Sequence, residues 1–106
     1  MQIDTAAKVF AELGNRTRLD ILRLLIKAGR EGLPIGDIQA RLDIPSSTLA
    51  FHLRGLVSAG LVGQEKQGRT VLCRPRFDSI NDAISFLKDE CCVGVSQPVA
   101  RRQNVA

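Results

Sequence analysis

The sequence contains no tryptophan, no tyrosine and only four phenylalanines in 106 residues. Proteins that grip unpaired nucleic acid stack its bases on aromatic rings, and this chain has too few rings for such a platform. It has a single histidine, His52, far along the chain from every cysteine. No apolar run approaches the roughly 18 residues that a membrane-crossing helix needs. Met1-Gln2-Ile3-Asp4 lacks the basic-then-apolar layout of a secretory leader, so a cytoplasmic protein without membrane contact is expected. The three cysteines, one isolated at Cys73 and two adjacent at Cys91 and Cys92, do not make a disulfide framework. In a cytosolic setting such thiols are buried, reactive or metal-binding. An enzyme is not expected either. The positions six after each cysteine are Ser79, Gln97 and Pro98, so no Cys-x5-Arg phosphate cradle exists, and no glycine-rich phosphate loop is found.

What is present is ordinary for one globular domain: 44% hydrophobic and 25% charged residues. A core this small makes oligomerisation an expectation. The net charge is +4, which suits a polyanionic partner without establishing one. Its placement is more informative. Between Pro45 and Arg76 stand Arg54, Lys66, Arg69, Arg74 and Arg76 against the single acid Glu65.

Periodicity divides the chain into short elements. Residues 4–13 form a helix that Asp4 can cap, with Ala6, Phe10 and Leu13 on one face. After Gly14-Asn15, a second helix capped by Asn15 or Thr17 runs to about Ala28; Leu22 and Leu25 form its stripe, and Leu19, Ile21 and Ile26 widen it. Gly29 and Gly32-Leu33-Pro34 end it. A helix over about 35–42 follows, then a turn at Asp43-Ile44-Pro45, then a helix capped by Ser46 or Ser47 and running to Ala59. Leu49, Leu53, Leu56 and Val57 make the buried face of that last helix, which leaves Ser47, Thr48, Ala50, Phe51, His52 and Arg54 pointing outward. Gly60 sits at its C-cap. Residues 61–66 and 69–74 then read as two strands joined through Gln67-Gly68 in a β-hairpin. A final helix from Asp78 or Ser79 to about Cys91 aligns Ile80, Ile84, Leu87 and Cys91, with Phe77 and Ala83 alongside. Residues 1–92 are thus one domain, and the aperiodic tail 93–106 is expected to be mobile.

Two short helices across a tight turn, the second polar on its outer face, match a helix-turn-helix; the basic hairpin after them makes it winged. The fold class expected is mostly α with a β-hairpin wing (α+β). A helix that reads duplex DNA keeps one apolar stripe in the core and offers short hydrogen-bonding side chains to base edges. Ser46, Ser47, Thr48 and His52 suit that role, and Arg54 can reach the phosphate backbone. Lys66, Gln67 and Arg69 at the hairpin tip suit the neighbouring groove or phosphates.

Asn-Arg-Thr-Arg-Leu-Asp-Ile-Leu-Arg-Leu-Leu (15–25), the string from Ser46 to Val62 and Gln-Gly-Arg (67–69) resemble the ArsR/SmtB family of metalloregulatory repressors over roughly residues 4–92. The resemblance implies a homodimer paired through the first and last helices, bound to an imperfect palindrome in double-stranded DNA without a cofactor and weakened by an effector. The apolar face of the last helix agrees, since a symmetric partner would cover it.

Relatives in that family place effector sites at recognisable positions. The Cys-x-Cys of one arsenic site is missing, because that stretch reads Leu33-Pro34-Ile35-Gly36-Asp37. A zinc site on the last helix lacks its histidines. Cys91-Cys92 remains, similar to the vicinal pair of some arsenic-responsive relatives, and soft thiolates select thiophilic ions. The resemblance therefore implies trivalent arsenic or antimony as effector, held by Cys91 and Cys92. Inorganic arsenic takes a third thiolate, and residues 93–106 offer none. Cys73 lies at the other end of a last helix about 20 Å long, which leaves a two-coordinate site, a ligand across the dimer or an organoarsenical open. Sensing of oxidants or persulfides by the same pair is the alternative reading. A winged helix that binds protein rather than DNA is the rival from another class.

Overall fold

In the computed structural model, which describes residues 1–96, five helices surround a small three-stranded sheet. The order is α1 (Ile3–Leu13), α2 (Arg16–Ala28), β1 (Leu33–Pro34), α3 (Ile35–Leu42), α4 (Ser46–Ser58), β2 (Val62–Gln67), β3 (Thr70–Pro75) and α5 (Phe77–Lys88). This is the winged helix-turn-helix expected from the residue pattern.

Local chemistry sets the helix ends. Asn15 caps α2 by accepting the Arg18 N–H on its side-chain oxygen at 3.1 Å. Asp43 ends α3 in the left-handed region at φ 53° while its N–H bonds the Gln39 carbonyl at 2.8 Å. At the end of α4, Gly60 takes φ +77°. Its N–H then reaches the Val57 carbonyl at 2.9 Å, and the Leu61 N–H reaches Leu56 at 3.0 Å. That pair of bonds closes the helix and turns the chain straight into β2. Two expected caps are corrected: Gln2 rather than Asp4 precedes α1, and Pro45 precedes α4, neither with a side-chain cap bond. Asp4 lies inside the first turn of α1, and Ser46 is the first helical residue of α4, because Pro45 carries the extended φ/ψ at that boundary.

One aliphatic cluster joins the layers. Ile21, Leu22 and Leu25 from α2, Ile38 from α3, and Leu49, Leu53 and Leu56 from α4 meet Leu61, Val62 and Cys73 of the sheet, with Val9 and Ala83 closing it from α1 and α5. The apolar stripes are narrower than the pattern suggests. Ala6 and Val9, not Phe10, are the buried residues of α1, and Leu19, Ile26 and Val57 are exposed, since among the described residues no element fully covers those flanks. On α5, Ala83 is buried but Ile84 and Leu87 are 51% and 70% exposed. With Ile3 on α1 68% exposed, an apolar surface lies open along both terminal helices.

The hairpin is in fact two-thirds of a sheet. β3 pairs antiparallel with β2 on one side and with β1 on the other, Leu33 opposite Cys73 and Pro34 opposite Leu72. A two-residue strand carries no periodic signal, which hides β1 from the pattern. The close approach depends on Gly32, which sits at φ +71° where an added Cβ would lie 2.1 Å from the Cys73 carbonyl oxygen. The last helix is shorter than expected: it stops at Lys88, so Cys91 and Cys92 follow it in a turn. Residues 93–96 are neither helix nor strand, and the remainder of the expected tail, 97–106, lies outside the described residues. Among the described residues no helix is long and apolar enough to cross a membrane.

Replacing Gly32 by Ala should lower unfolding free energy by more than about 2 kcal/mol, through left-handed strain plus a clash with β3. Urea denaturation measures this, and a change below 0.5 kcal/mol (about the size of an ordinary surface effect) would show that β1 is not held by this approach.

Candidate nucleic-acid interface

Helix α4 buries Leu49, Leu53 and Leu56 and turns its other side to solvent. Ser46 and Ser47 are exposed in its first turn, where N–H groups lack intrahelical partners and attract anions. Thr48 is half-buried behind them. One and two turns further along, Phe51 and Arg54 are exposed on the same face as Ser47. Phe51, 54% exposed, was not among the expected contact residues, although its i+4 spacing from Ser47 is the signal that places it there.

The wing carries the other expected residues. Lys66 and Gln67 end β2, Gly68 turns the chain at φ +62°, and Arg69 leads into β3; all are exposed. Arg74 pairs with Glu65 across the two strands, so the one acid of this basic stretch is engaged with a neighbour. Among the described residues, Arg54, Lys66 and Arg69 make no ion pair with an acid. The α4 face and the wing tip therefore present hydrogen-bonding groups and uncompensated positive charge.

His52 departs from the expectation. It is only 9% exposed, and its Nδ1 accepts a hydrogen bond from Arg18 Nε at 3.1 Å. At 3.6 residues per turn, His52 and Val57 flank the Leu49–Leu53–Leu56 stripe at about 70° on opposite sides, so pattern alone does not choose between them. Helices α1 and α2 cover the His52 side. Burial, and then the Arg18 charge, pull the imidazole below its ordinary pKa of 6.5. Arg18 also pairs with Glu12 of α1, and its guanidinium lies 5.3 Å from the centre of the Phe51 ring.

Cys91 and Cys92 are exposed beyond α5 and joined to each other as a disulfide, with Cys92 at φ +70°. Cys73 is fully buried in β3, where Gln64 Nε2 lies 3.6 Å from its sulfur. Burial raises the Cys73 thiol pKa, with the Gln64 contact opposing in part. Among the described residues no three His, Cys, Asp or Glu side chains converge as a metal site would require.

A helix-turn-helix domain family matches residues 13–65. An ArsR-like transcriptional regulator from Rhodococcus sp. RHA1 superposes with a TM-score of 0.70 at 32% identity, over 80% of this chain and 77% of that one. This chain belongs to the ArsR family of winged helix-turn-helix transcriptional regulators. The HTH-type regulator YceK of Bacillus subtilis is 33% identical over 73 residues, 69% of this chain and 72% of that protein. ArsR2 of Halobacterium salinarum, named for repression of an arsenical resistance operon, is 33% identical over 64 residues, 60% of this chain and about half (53%) of that protein. The homodimeric winged helix-turn-helix DNA-binding domain Mb0332 of Mycobacterium bovis superposes with a TM-score of 0.67 at 26% identity, over 85% of this chain and 83% of that one. These relatives are regulators, not enzymes.

In this ArsR-family chain the buried histidine makes stability depend on pH. Its folded pKa lies below its unfolded value, so the unfolded chain binds the extra proton first. The contribution of a neutral His52 is complete above about 6.5 and is lost progressively as pH falls below it. Urea unfolding across pH 7.5 to 5 should therefore show a fall in stability that His52→Asn lacks. Parallel pH profiles for the two proteins would mean that His52 titrates freely.

Proposed function

We propose that this ArsR-family regulator is a cytosolic repressor that binds double-stranded DNA as a homodimer and is released by a thiophilic effector at Cys91 and Cys92. The observation that carries the DNA reading is the exposed polar face of α4 beside a wing whose Lys66 and Arg69 have no acidic partner in the described chain. Ser46, Ser47 and Thr48 offer hydroxyls to base edges and phosphates at the start of the helix. Phe51 offers an apolar surface of the kind that meets a thymine methyl. Arg54, Lys66, Gln67 and Arg69 hold the backbone. His52, buried, acts on this surface from behind.

The open apolar face of α1 and α5, with Ile3, Ile84 and Leu87 exposed, supports pairing with a second copy. Two-fold symmetry then places two α4 helices in successive major grooves about 34 Å apart, and an imperfect palindrome is the matching operator.

Trivalent arsenic or antimony is the effector that the cysteine pair fits. Cys91 and Cys92 are accessible and adjacent, and reduced thiolates are soft donors for such ions. The donor set within one protomer is two, because Cys73 is sealed in the sheet. The relationship to ArsR2 of Halobacterium salinarum supports a metalloid-resistance operon as the target. A second reading, a redox switch, is favoured by the adjacency and exposure of the two cysteines. Forming a bond between the two sulfurs passes two electrons and two protons from the pair to a peroxide, which leaves as two waters, and a thiol reductant returns them. Cys91 and Cys92 both follow the end of α5, so either event would act first beside the proposed dimer contact.

Fluorescence anisotropy on the duplex immediately upstream of its own coding sequence tests both readings. The reduced protein should bind in the nanomolar range. Arsenite should weaken that binding at least tenfold in wild type and leave the Cys91→Ser/Cys92→Ser double variant unaffected. Binding insensitive to arsenite but lost on oxidation would select the redox switch. No preference for that duplex over scrambled DNA would favour a protein-interaction module.

Single substitutions separate the roles on the surface. Arg69→Ala should weaken binding to all sequences alike and reduce the slope of log affinity against log salt by about 2, one contact from each protomer of the dimer. Ser47→Ala should instead cost about 1–3 kcal/mol at matched sites and relax sequence preference. Identical behaviour of the two variants would show that the reading surface is misassigned.

A further inference from the structure

Behind the reading face of α4 lies a chain of polar contacts that crosses three helices. Lys8 Nζ stands 3.7 Å from Glu12 on α1. Glu12 pairs with Arg18 at the start of α2. Arg18 Nε then donates to Nδ1 of His52 on α4 at 3.1 Å. The Arg18 and Glu12 side chains are only 15% and 21% exposed, so their attraction is much less screened than that of a surface pair. The guanidinium covers the inner side of Phe51 at 5.3 Å, and the Phe51 and His52 rings meet edge to face at 5.1 Å.

Gly55 is a further feature of the same group of residues. Glycine inside a helix costs roughly 0.5–1 kcal/mol relative to alanine. Here a Cβ would lie 2.7 Å from Glu12 Oε1 and 3.0 Å from Arg18 Cζ. The α4 backbone is bare at the spot where the ion pair rests on it.

We propose that Arg18 is the positioning residue of the reading helix: the relay Glu12–Arg18–His52, seated against Gly55, fixes the rotation of α4 relative to α1 and α2. An apolar stripe of Leu49, Leu53 and Leu56 allows a helix to roll by a fraction of a turn at small cost, because dispersion contacts are not directional. A guanidinium bonded to a carboxylate on one side and an imidazole nitrogen on the other is directional. It holds Ser47, Phe51 and Arg54 at one angle to the groove. Since Glu12 belongs to α1, the relay also ties the reading helix to the apolar layer that a second copy would cover.

The relay rests on the DNA-binding reading, and its test keeps the two apart. Affinity is measured for the upstream duplex and for a scrambled duplex of equal length, with urea stability alongside, in wild type, Glu12→Gln, His52→Leu and His52→Asn. Glu12→Gln and His52→Leu should lower the ratio of specific to non-specific affinity about tenfold, with scrambled-duplex affinity unchanged within twofold. His52→Asn, whose side-chain oxygen takes the place of Nδ1 as acceptor, should restore the ratio to within threefold of wild type. Nitrogen NMR of wild type should show His52 protonated on Nε2 and bare at Nδ1, with that preference weakened in Glu12→Gln. This readout needs no DNA and survives if His52→Leu fails to fold. A wild-type protein that cannot tell the two duplexes apart would overturn the DNA reading itself. Wild-type discrimination that persists in Glu12→Gln, or a His52 protonated on Nδ1, would overturn the relay alone.

Discussion

The packing of α2 against α4 through Ile21, Leu25, Leu49, Leu53 and Leu56 is the contact that everything else in this chain leans on. A domain of this size has room for a single aliphatic cluster, and every element contributes to it or is held beside it. The sheet joins through Leu61, Val62 and Cys73, α3 through Ile38, and the terminal helices through Val9 and Ala83. Because the cluster consumes one face of α4, the opposite face is left free, and it is that free face which carries the exposed serines, Phe51 and Arg54. The proposed reading surface is thus a consequence of which side the core takes.

The same economy explains the open apolar strip along α1 and α5. One cluster does not cover Ile3, Ile84 and Leu87 as well, and in the proposed dimer a second copy would cover them. The cysteine turn follows α5 and Glu12 belongs to α1, so both adjoin helices of the proposed dimer interface. Effector chemistry and DNA geometry then share one layer of helices. An ArsR-family protein with five short helices has few other routes by which one end of the chain can reach the other.

Much of this was legible in the residues before any coordinates. Helix positions followed from the spacing of leucines and isoleucines, the α2 cap from Asn15, the α4 stop from Gly60, and the wing from Gln67-Gly68 between alternating strands. The wing residues Lys66, Gln67 and Arg69 and the helix residues Ser46, Ser47 and Arg54 all stand exposed where the pattern placed them. Strand β1 escaped notice because two residues have no period, and α5 came out one turn too long because Cys91 continues its apolar spacing.

The sequence by itself determined the order of elements, the fold class, the clustering of positive charge and the isolation of two adjacent thiols, because these depend on local propensity and on residue identity. Only the tertiary structure decided which flank of each apolar stripe is covered. His52 and Val57 sit at equal angles from the core of α4, and a helical wheel treats them alike. Neighbouring helices break that symmetry: α1 and α2 bring Glu12 and Arg18 to the His52 side, while among the described residues Val57 stays 37% exposed against 9% for His52. A charged residue on the stripe of α2 and a glycine inside α4 look like defects in isolation. They become intelligible once three helices meet around one guanidinium.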